Sequence, residues 1–293
     1  MEYVSGVDDM LSDPVKIPKD SKELMFLYRT IPGRIALKLL SSRAVSYVAG
    51  AYMDSSLSCS MIEPFAKNND IDMSQYEEEK YDCFNSFFTR HIRSDLRPID
   101  MEPSHFIAPS DGLLSAYHIH EGLIVPIKQS NYSVYDLVRD KRVADMYKNG
   151  ICLVFRLCVD NYHRYCYPVS GYKSKNKHID GSLHTVRPIA LRTLPVFTEN
   201  SREYTLIKTD IFSTVLMMEV GAMLVGKIKN LHDEKQVSRG EEKGYFEYGG
   251  STIVLLIKKD KVIFDDRLFE ATDNGYETPV LMGECIGHSF AQG

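Results

Sequence analysis

The chain has 293 residues, 44% of them hydrophobic and 26% charged, with a formal net charge of -5. That length buries a full core in one large domain or two smaller ones, and the ordinary composition excludes a fibrous or low-complexity chain. The acidic balance, with no dominant basic stripe, argues against nucleic acid as the partner, and no repeat period, zinc-type cysteine pairing or Walker-type phosphate loop occurs.

Six cysteines, Cys59, Cys83, Cys152, Cys158, Cys166 and Cys285, are scattered along the chain, and several of them lie in apolar runs such as Ile151-Cys-Leu-Val-Phe. That placement suits reduced, buried thiols rather than a disulfide framework, and no metal site is expected. The N-terminus opens on acidic and polar residues, without the charged-then-apolar pattern of a secretion signal. No stretch reaches the roughly 18–20 apolar residues of a spanning helix. An intracellular protein, not integral by a helix, is the expectation.

Residues 1–20 read as a polar lead-in in which Pro14 and Pro18 discourage regular structure. From Lys22 to Met53 the pattern is helical and basic: Leu37, Leu40, Ala44 and Val48 form an apolar stripe, with Arg34, Lys38 and Arg43 largely off it. Such a helix either lies on an anionic membrane surface or packs on the rest of the protein with a solvated basic face. Residues 54–82 predict short helices and a polar loop. Phe84, Phe87, Phe88 and Ile92 then form a helical apolar face, stopped by Pro98 and read as core packing.

Beyond Phe106 the chain turns to short strands. Residues 107–116 predict strand, a Pro-Ser-Asp-Gly turn and strand, with Asp111 before Gly112 in the tight turn. Residues 131–147 predict a helix starting at Asn131 or Ser133. Residues 151–159 are apolar enough for a buried strand, residues 202–228 alternate, and residues 253–264 predict a strand pair around Lys259-Asp260. His163 and His184 sit near strand-like segments, where a histidine is most often a satisfied polar group. The whole reads as an α+β protein, with a helical N-terminal region at 1–82 and a β-rich domain of mostly antiparallel strands at 83–293.

One stretch stands out, Gly244-Tyr-Phe-Glu-Tyr-Gly-Gly-Ser-Thr-Ile-Val. Gly249 and Gly250 interrupt two strand-like runs, the ordinary mark of a bulge or turn. The same pattern suits self-cleavage: Gly250 leaves its carbonyl unshielded, and the hydroxyl of Ser251 is one residue away.

Taken in order, the segments Phe87-Phe-Thr-Arg with Arg97-Pro-Ile, Pro109-Ser-Asp-Gly, Asp160-Asn-Tyr-His-Arg-Tyr, Asn200-Ser-Arg-Glu-Tyr, Val220-Gly-Ala, Lys243-Gly-Tyr-Phe and Gly249-Gly-Ser-Thr resemble the phosphatidylserine decarboxylase family, from about residue 83 to the C-terminus. The resemblance implies that Ser251 attacks the Gly250 carbonyl to form an ester. Elimination then cuts the chain between Gly250 and Ser251, and hydrolysis of the dehydroalanine end leaves a pyruvoyl group at position 251. It further implies a decarboxylase that converts phosphatidylserine to phosphatidylethanolamine and CO2 through a Schiff base, with the pyruvoyl group as electron sink. Its partners would be a phospholipid substrate, a membrane surface touched from the cytoplasmic face, and its own cleaved chains; oligomeric state stays open.

The family arrangement also implies an Asp-His-Ser set for self-cleavage, with Asp111 as the aspartate. Here the sequence departs from the pattern of two histidines three residues apart, since His163 matches the first and Cys166 occupies the second. The base is then His163, if the segment is bent, or His184 from another strand. Cys166 suits the role poorly, because a thiol titrates near pKa ~8.5 and its thiolate is a nucleophile. His163 is otherwise expected to handle the substrate carboxylate or a proton. Arg90, Arg97 and Arg164 are charge-compatible with the phosphodiester. Two other readings use the same residues: a pyruvoyl decarboxylase of a soluble amino acid, and a non-catalytic lipid-binding relative disabled by Cys166.

Overall fold

The computed structural model describes residues 11–16, 25–26, 30, 32–33, 36, 43–77, 80–121, 123–127, 130–181, 200–221, 227–248 and 251–290. After the short strand β1 (Val15–Lys16) come the helices α1 (Arg43–Met53), α2 (Ile62–Asn68) and α3 (Phe84–Phe88), with 3-10 turns at Ser56–Met61 and Met73–Gln75. Strands follow: β2 (His105–Ile107), β3 (Gly112–His120), β4 (Leu123–Ile127) and β5 (Ser130–Ser133). Two short helices, α4 (Val134–Val138) and α5 (Lys141–Asp145), precede β6 (Ile151–Leu157), β7 (Arg164–Cys166), β8 (Gly171–Lys173) and β9 (Lys177–Ile179). The remainder is β10 (Arg202–Lys208), β11 (Thr214–Val220), β12 (Ile228–Asn230), β13 (Lys235–Val237), β14 (Glu242–Phe246), β15 (Ser251–Ile257), β16 (Val262–Phe264), α6 (Asp266–Asp273), β17 (Tyr276–Val280) and β18 (Cys285–Ser289).

A 12-stranded antiparallel sheet, its main path β1-β17-β3-β6-β15-β11-β10-β8-β13, forms the body. Two three-stranded sheets, β12-β14-β7 and β16-β18-β2, accompany it. The α+β expectation with mostly antiparallel strands is met. The apolar runs in β6, β11 and β15 exist because these central strands are buried on both faces. Cys152, Val154, Leu216, Met218, Val254 and Leu256 face a core shared with α4 and α5, while Leu153, Phe155, Val215, Met217, Ile253 and Leu255 face a second core that includes Tyr165 of β7 and Phe246 of β14. Strand alternation therefore sends neighbouring residues into two different cores.

The structure corrects several local expectations. Of the two starts foreseen for the helix at 131–147, Ser133 is the one used: it caps Val134–Val138 by accepting the Asp136 amide at 2.9 Å, whereas Asn131 belongs to β5. The helix breaks at Arg139, whose φ of 51° is left-handed, and restarts where Asp140 accepts from the Arg142 and Val143 amides. The Phe84 stripe is helical only to Phe88; Ile92 lies in an extended bridge to Tyr76. Strands β15 and β16 do not pair with each other. β15 lies between β6 and β11, whereas β16 joins β18. The basic residues Lys22, Arg34 and Lys38 and the apolar Leu37 and Leu40 lie outside the described residues. Within α1, Tyr47 and Val48 are exposed, as is Leu57 just beyond it.

The seam between the large sheet and the β12-β14-β7 sheet holds a buried ion pair. A bulge between Glu242 and Gly244 makes Lys243 the extra residue on β14, and bulges re-aim the side chain they carry. Lys243 Nζ lies 2.8 Å from Glu219 Oε1, both side chains fully buried, and also donates to Asn230 Oδ1. Asn230 Nδ2 in turn donates to Glu219 Oε2 (3.1 Å) and Glu203 Oε2 (2.9 Å). Gly244 is required beside it, since a Cβ there would stand 2.0 Å from the Lys229 carbonyl oxygen. Lys243→Met alone strands a buried carboxylate, so a loss of about 3–5 kcal/mol in unfolding free energy, read from a lowered urea midpoint, is expected. The apolar double variant E219L/K243L is expected to regain most of that loss, because it leaves no unpaired charge.

Candidate active site

Ser251 is the first residue of β15, opposite Leu157 at the end of β6. By strand parity it shares the face of Ile253 and Leu255, the side covered by β7 and β14. His163 reaches the same end of the sheet from two directions. It follows β6 after a bend at Asn161, and its carbonyl accepts the Phe246 amide (3.0 Å) at the end of β14. The chain thus leaves one sheet at Phe246 and enters the other at Ser251. Gly249 and Gly250 lie outside the described residues.

Both candidate residues are buried. Ser251 is 0% exposed and His163 is 1% exposed. Among the described residues, Ser251 Oγ and His163 Nε2 have no hydrogen-bond partner, and neither do Ser110 Oγ and Thr252 Oγ1. A buried polar atom left unpaired costs on the order of 1–3 kcal/mol, and such atoms cluster where a site is poised for chemistry. The other imidazole nitrogen, Nδ1, lies 2.8 Å from the Asn161 carbonyl oxygen. That acceptor places the proton on Nδ1 and leaves the lone pair on Nε2. The ring leans on Phe88 at 4.1 Å between centroids.

Burial pushes the His163 pKa down to about 3, with the Arg90 charge adding to the effect and the Asn161 bond opposing it. The imidazole is therefore neutral at physiological pH and able to accept a proton. A linked stability effect follows. The unfolded histidine takes up a proton below pH ~6.5 while the folded one stays neutral, so this contribution is complete above pH ~6.5 and is lost as pH falls toward about 3. At pH 5 the loss is on the order of 2 kcal/mol. Denaturant titrations from pH 7 to pH 5 are expected to show it, and His163→Asn, which keeps an N–H for the Asn161 carbonyl, is expected to flatten that part of the profile.

No hydrogen bond or ion pair joins Asp111 to a histidine among the described residues. Arg97 holds Asp111 in a two-pronged pair, Nε to Oδ1 at 2.7 Å and Nη2 to Oδ2 at 2.6 Å, and the Met282 amide donates to Oδ1 at 2.9 Å. Gly112, at φ 154°, lets this turn approach β6; a Cβ there would stand 2.9 Å from the Arg156 carbonyl oxygen. Asp111 and Arg97 line a cleft of about 280 Å³ with Tyr76, Asp160, Asn161 and Tyr162. Cys166 is close by, its amide bonded to the Pro109 carbonyl (2.8 Å). Burial raises its thiol to about 12, with the Asp111 charge contributing, so it stays protonated and is no base. His184 lies outside the described residues.

The three arginines are already engaged. Arg90 is buried over the Tyr76 and Phe87 rings and donates to Tyr76 Oη (3.0 Å). Arg97 is held by Asp111, and Arg164 pairs with Glu242 (2.6 Å) and donates to the Thr89 carbonyl (2.7 Å). Asn161 as the orienter of His163, and the Glu219–Lys243 pair, were missed from sequence. Asn161 acts through its backbone carbonyl, which leaves no residue-type signal.

The family model for phosphatidylserine decarboxylase matches residues 84–288. The chain belongs to the phosphatidylserine decarboxylase family. It is 46% identical over 268 residues to phosphatidylserine decarboxylase proenzyme 2 of Clostridium acetobutylicum, covering 91% of this chain and 92% of that one. It is 40% identical over 250 residues to the proenzyme of Clostridium tetani, covering 84% of each, and 39% identical over 272 residues to that of Clostridium beijerinckii, covering 91% and 92%. Membership places the chain among decarboxylases, and the relatives' proenzyme names describe a precursor that is processed. Among the described residues, no helix is long and apolar enough to cross a membrane.

Proposed function

We propose that this phosphatidylserine decarboxylase family member is an autoprocessing enzyme that makes phosphatidylethanolamine and CO2 from phosphatidylserine. The observation that carries the reading is Ser251, buried with an unpartnered hydroxyl at the head of a central strand and directly after Gly250. In the proposed reaction His163 Nε2 takes the hydroxyl proton as Oγ attacks the Gly250 carbonyl carbon. The Gly250–Ser251 C–N bond breaks to give an ester. Loss of the Ser251 α-proton then expels the Gly250 carboxylate, and water releases ammonia from the new end. His184 is the alternative base.

A pyruvoyl group at position 251 would fit the surroundings, because the position is fully buried and its hydroxyl meets no partner among the described residues. When formed, that group supplies the ketone that accepts the electron pair left as CO2 departs. The chain's own residues exclude water, and neutral His163 exchanges protons at Nε2. The two fragments, 1–250 and 251–293, would stay together. β15 is hydrogen-bonded between β6 and β11, Arg156 of β6 pairs with Glu277 of β17, and Asp111 holds the Met282 amide.

The division into a helical region at 1–82 and a catalytic domain from 83 is supported by the family match starting at residue 84. The exposed Tyr47, Val48, Tyr52 and Leu57 support peripheral contact with the cytoplasmic face of a membrane through the former. Two measurements test the function. The intact mass of purified protein should show two chains, the smaller lighter by one ammonia than the peptide starting at Ser251. The protein should also release CO2 from phosphatidylserine vesicles and not from free serine. A single 33.4 kDa chain with no CO2 release would overturn the reading; activity on serine alone would move the substrate to a soluble amino acid.

A further inference from the structure

Strand β14 hands the chain toward Ser251 through Tyr248, and Tyr248 is anchored at two levels. Its ring meets Phe84, Phe88 and Phe65 edge-on at 5.0, 5.2 and 6.0 Å between centroids. Its amide donates to Asn85 Oδ1 at 3.1 Å. Asn85 is 5% exposed, and its Nδ2 donates to Asp54 Oδ1 at 2.7 Å. Asp54 can only accept, so it turns the amide such that oxygen, not nitrogen, faces the Tyr248 N–H. Helix α3 carries both Asn85 and Phe88. One turn of helix thus grips the chain just before the proposed cleavage site and also the ring of His163.

We infer that Asn85 is a positioning residue for self-cleavage: by holding the Tyr248 main chain, it sets the path into Ser251 relative to the histidine that Phe88 supports. The inference rests on the self-cleavage reading above. A reaction between neighbouring residues depends on a near-attack arrangement that small displacements destroy. A hydrophobic ring cluster fixes the depth of a segment but not its register along the chain, whereas a hydrogen bond to one main-chain amide does fix it. Asp54 supplies the second half, since without it the Asn85 amide is free to turn its nitrogen toward Tyr248.

The test follows precursor disappearance on gels during cell-free synthesis. Asn85→Ala is expected to slow cleavage about tenfold or more, and N85D to slow it as well, because it sets two carboxylates against each other. Adding D54N to N85D restores a donor and an acceptor with roles exchanged, and cleavage is expected to return to within about threefold of wild type. Val143→Ala, a cavity in the other core, serves as a control for lost stability. Cleavage of N85A within twofold of wild type, or no slower than a control of equal Tm, would overturn the role. So would failure of D54N/N85D to outpace N85D. Should N85A not fold, Asp54→Ala at a half-exposed position decides, expected to slow cleavage severalfold and overturning the role if it does not. A wild-type chain that stays whole overturns the self-cleavage reading itself and this role with it. Cleavage that is normal in wild type and N85A alike removes only the role.

Discussion

Ser251→Ala is expected to remain a single chain of 33.4 kDa under conditions in which the wild type separates into fragments ending at Gly250 and beginning at position 251. The loss should be complete rather than partial. The proposed cut needs an oxygen on the β-carbon twice, first as nucleophile and then as the leaving group of the elimination, and alanine supplies neither. The variant should fold, because removing an unpartnered buried hydroxyl leaves no other group unsatisfied. Intact mass and a thermal melt on one sample check both halves. Fragments from S251A at the wild-type rate would place the nucleophile elsewhere. An unfolded S251A would point instead to a structural part for the hydroxyl.

His163→Asn is expected to slow cleavage by about 10²–10⁴-fold, the usual range for removal of a general base. Asparagine retains an N–H for the Asn161 carbonyl but has no lone pair at the place of Nε2, so packing and base function are separated. His184→Ala is expected to cut normally. The reverse result, rapid cleavage in H163N and none in H184A, would transfer the role to His184. The low pKa of His163, about 3, makes it a weak base in equilibrium. It also keeps the imidazole neutral at every pH at which the protein is used, so the cleavage rate should not fall between pH 7 and pH 6 through protonation of this group.

Much of the fold was legible from periodicity. The apolar runs at 151–157 and 251–257 are strands because nearly every side chain in them is buried, one set in each core. Where local pattern competes with pairing it misled. The run from 253 to 264 looks like a hairpin, yet β15 is taken by β6 and β11, whose apolar faces match it over longer registers. The helix at 131–147 was over-extended because its apolar spacing continues through Arg139, where a left-handed backbone breaks it. The short helix Phe84–Phe88 read as core packing, and packing it is. Nothing in the spacing shows that Asn85, between those phenylalanines, grips Tyr248.

Sequence alone pointed to the proposed Gly250–Ser251 cut and the chemistry it suggests, because Gly249-Gly-Ser-Thr and its ordered companion motifs are properties of residue type and order. It also exposed the gap at Cys166. Only tertiary structure decided what surrounds these residues. It gave Asp111 to Arg97, raised the Cys166 thiol by burial, and oriented His163 through the Asn161 carbonyl. The reason is physical. Which donor meets which acceptor, and which group loses its water, depends on segments brought together from distant parts of the chain, and residue order does not encode those distances.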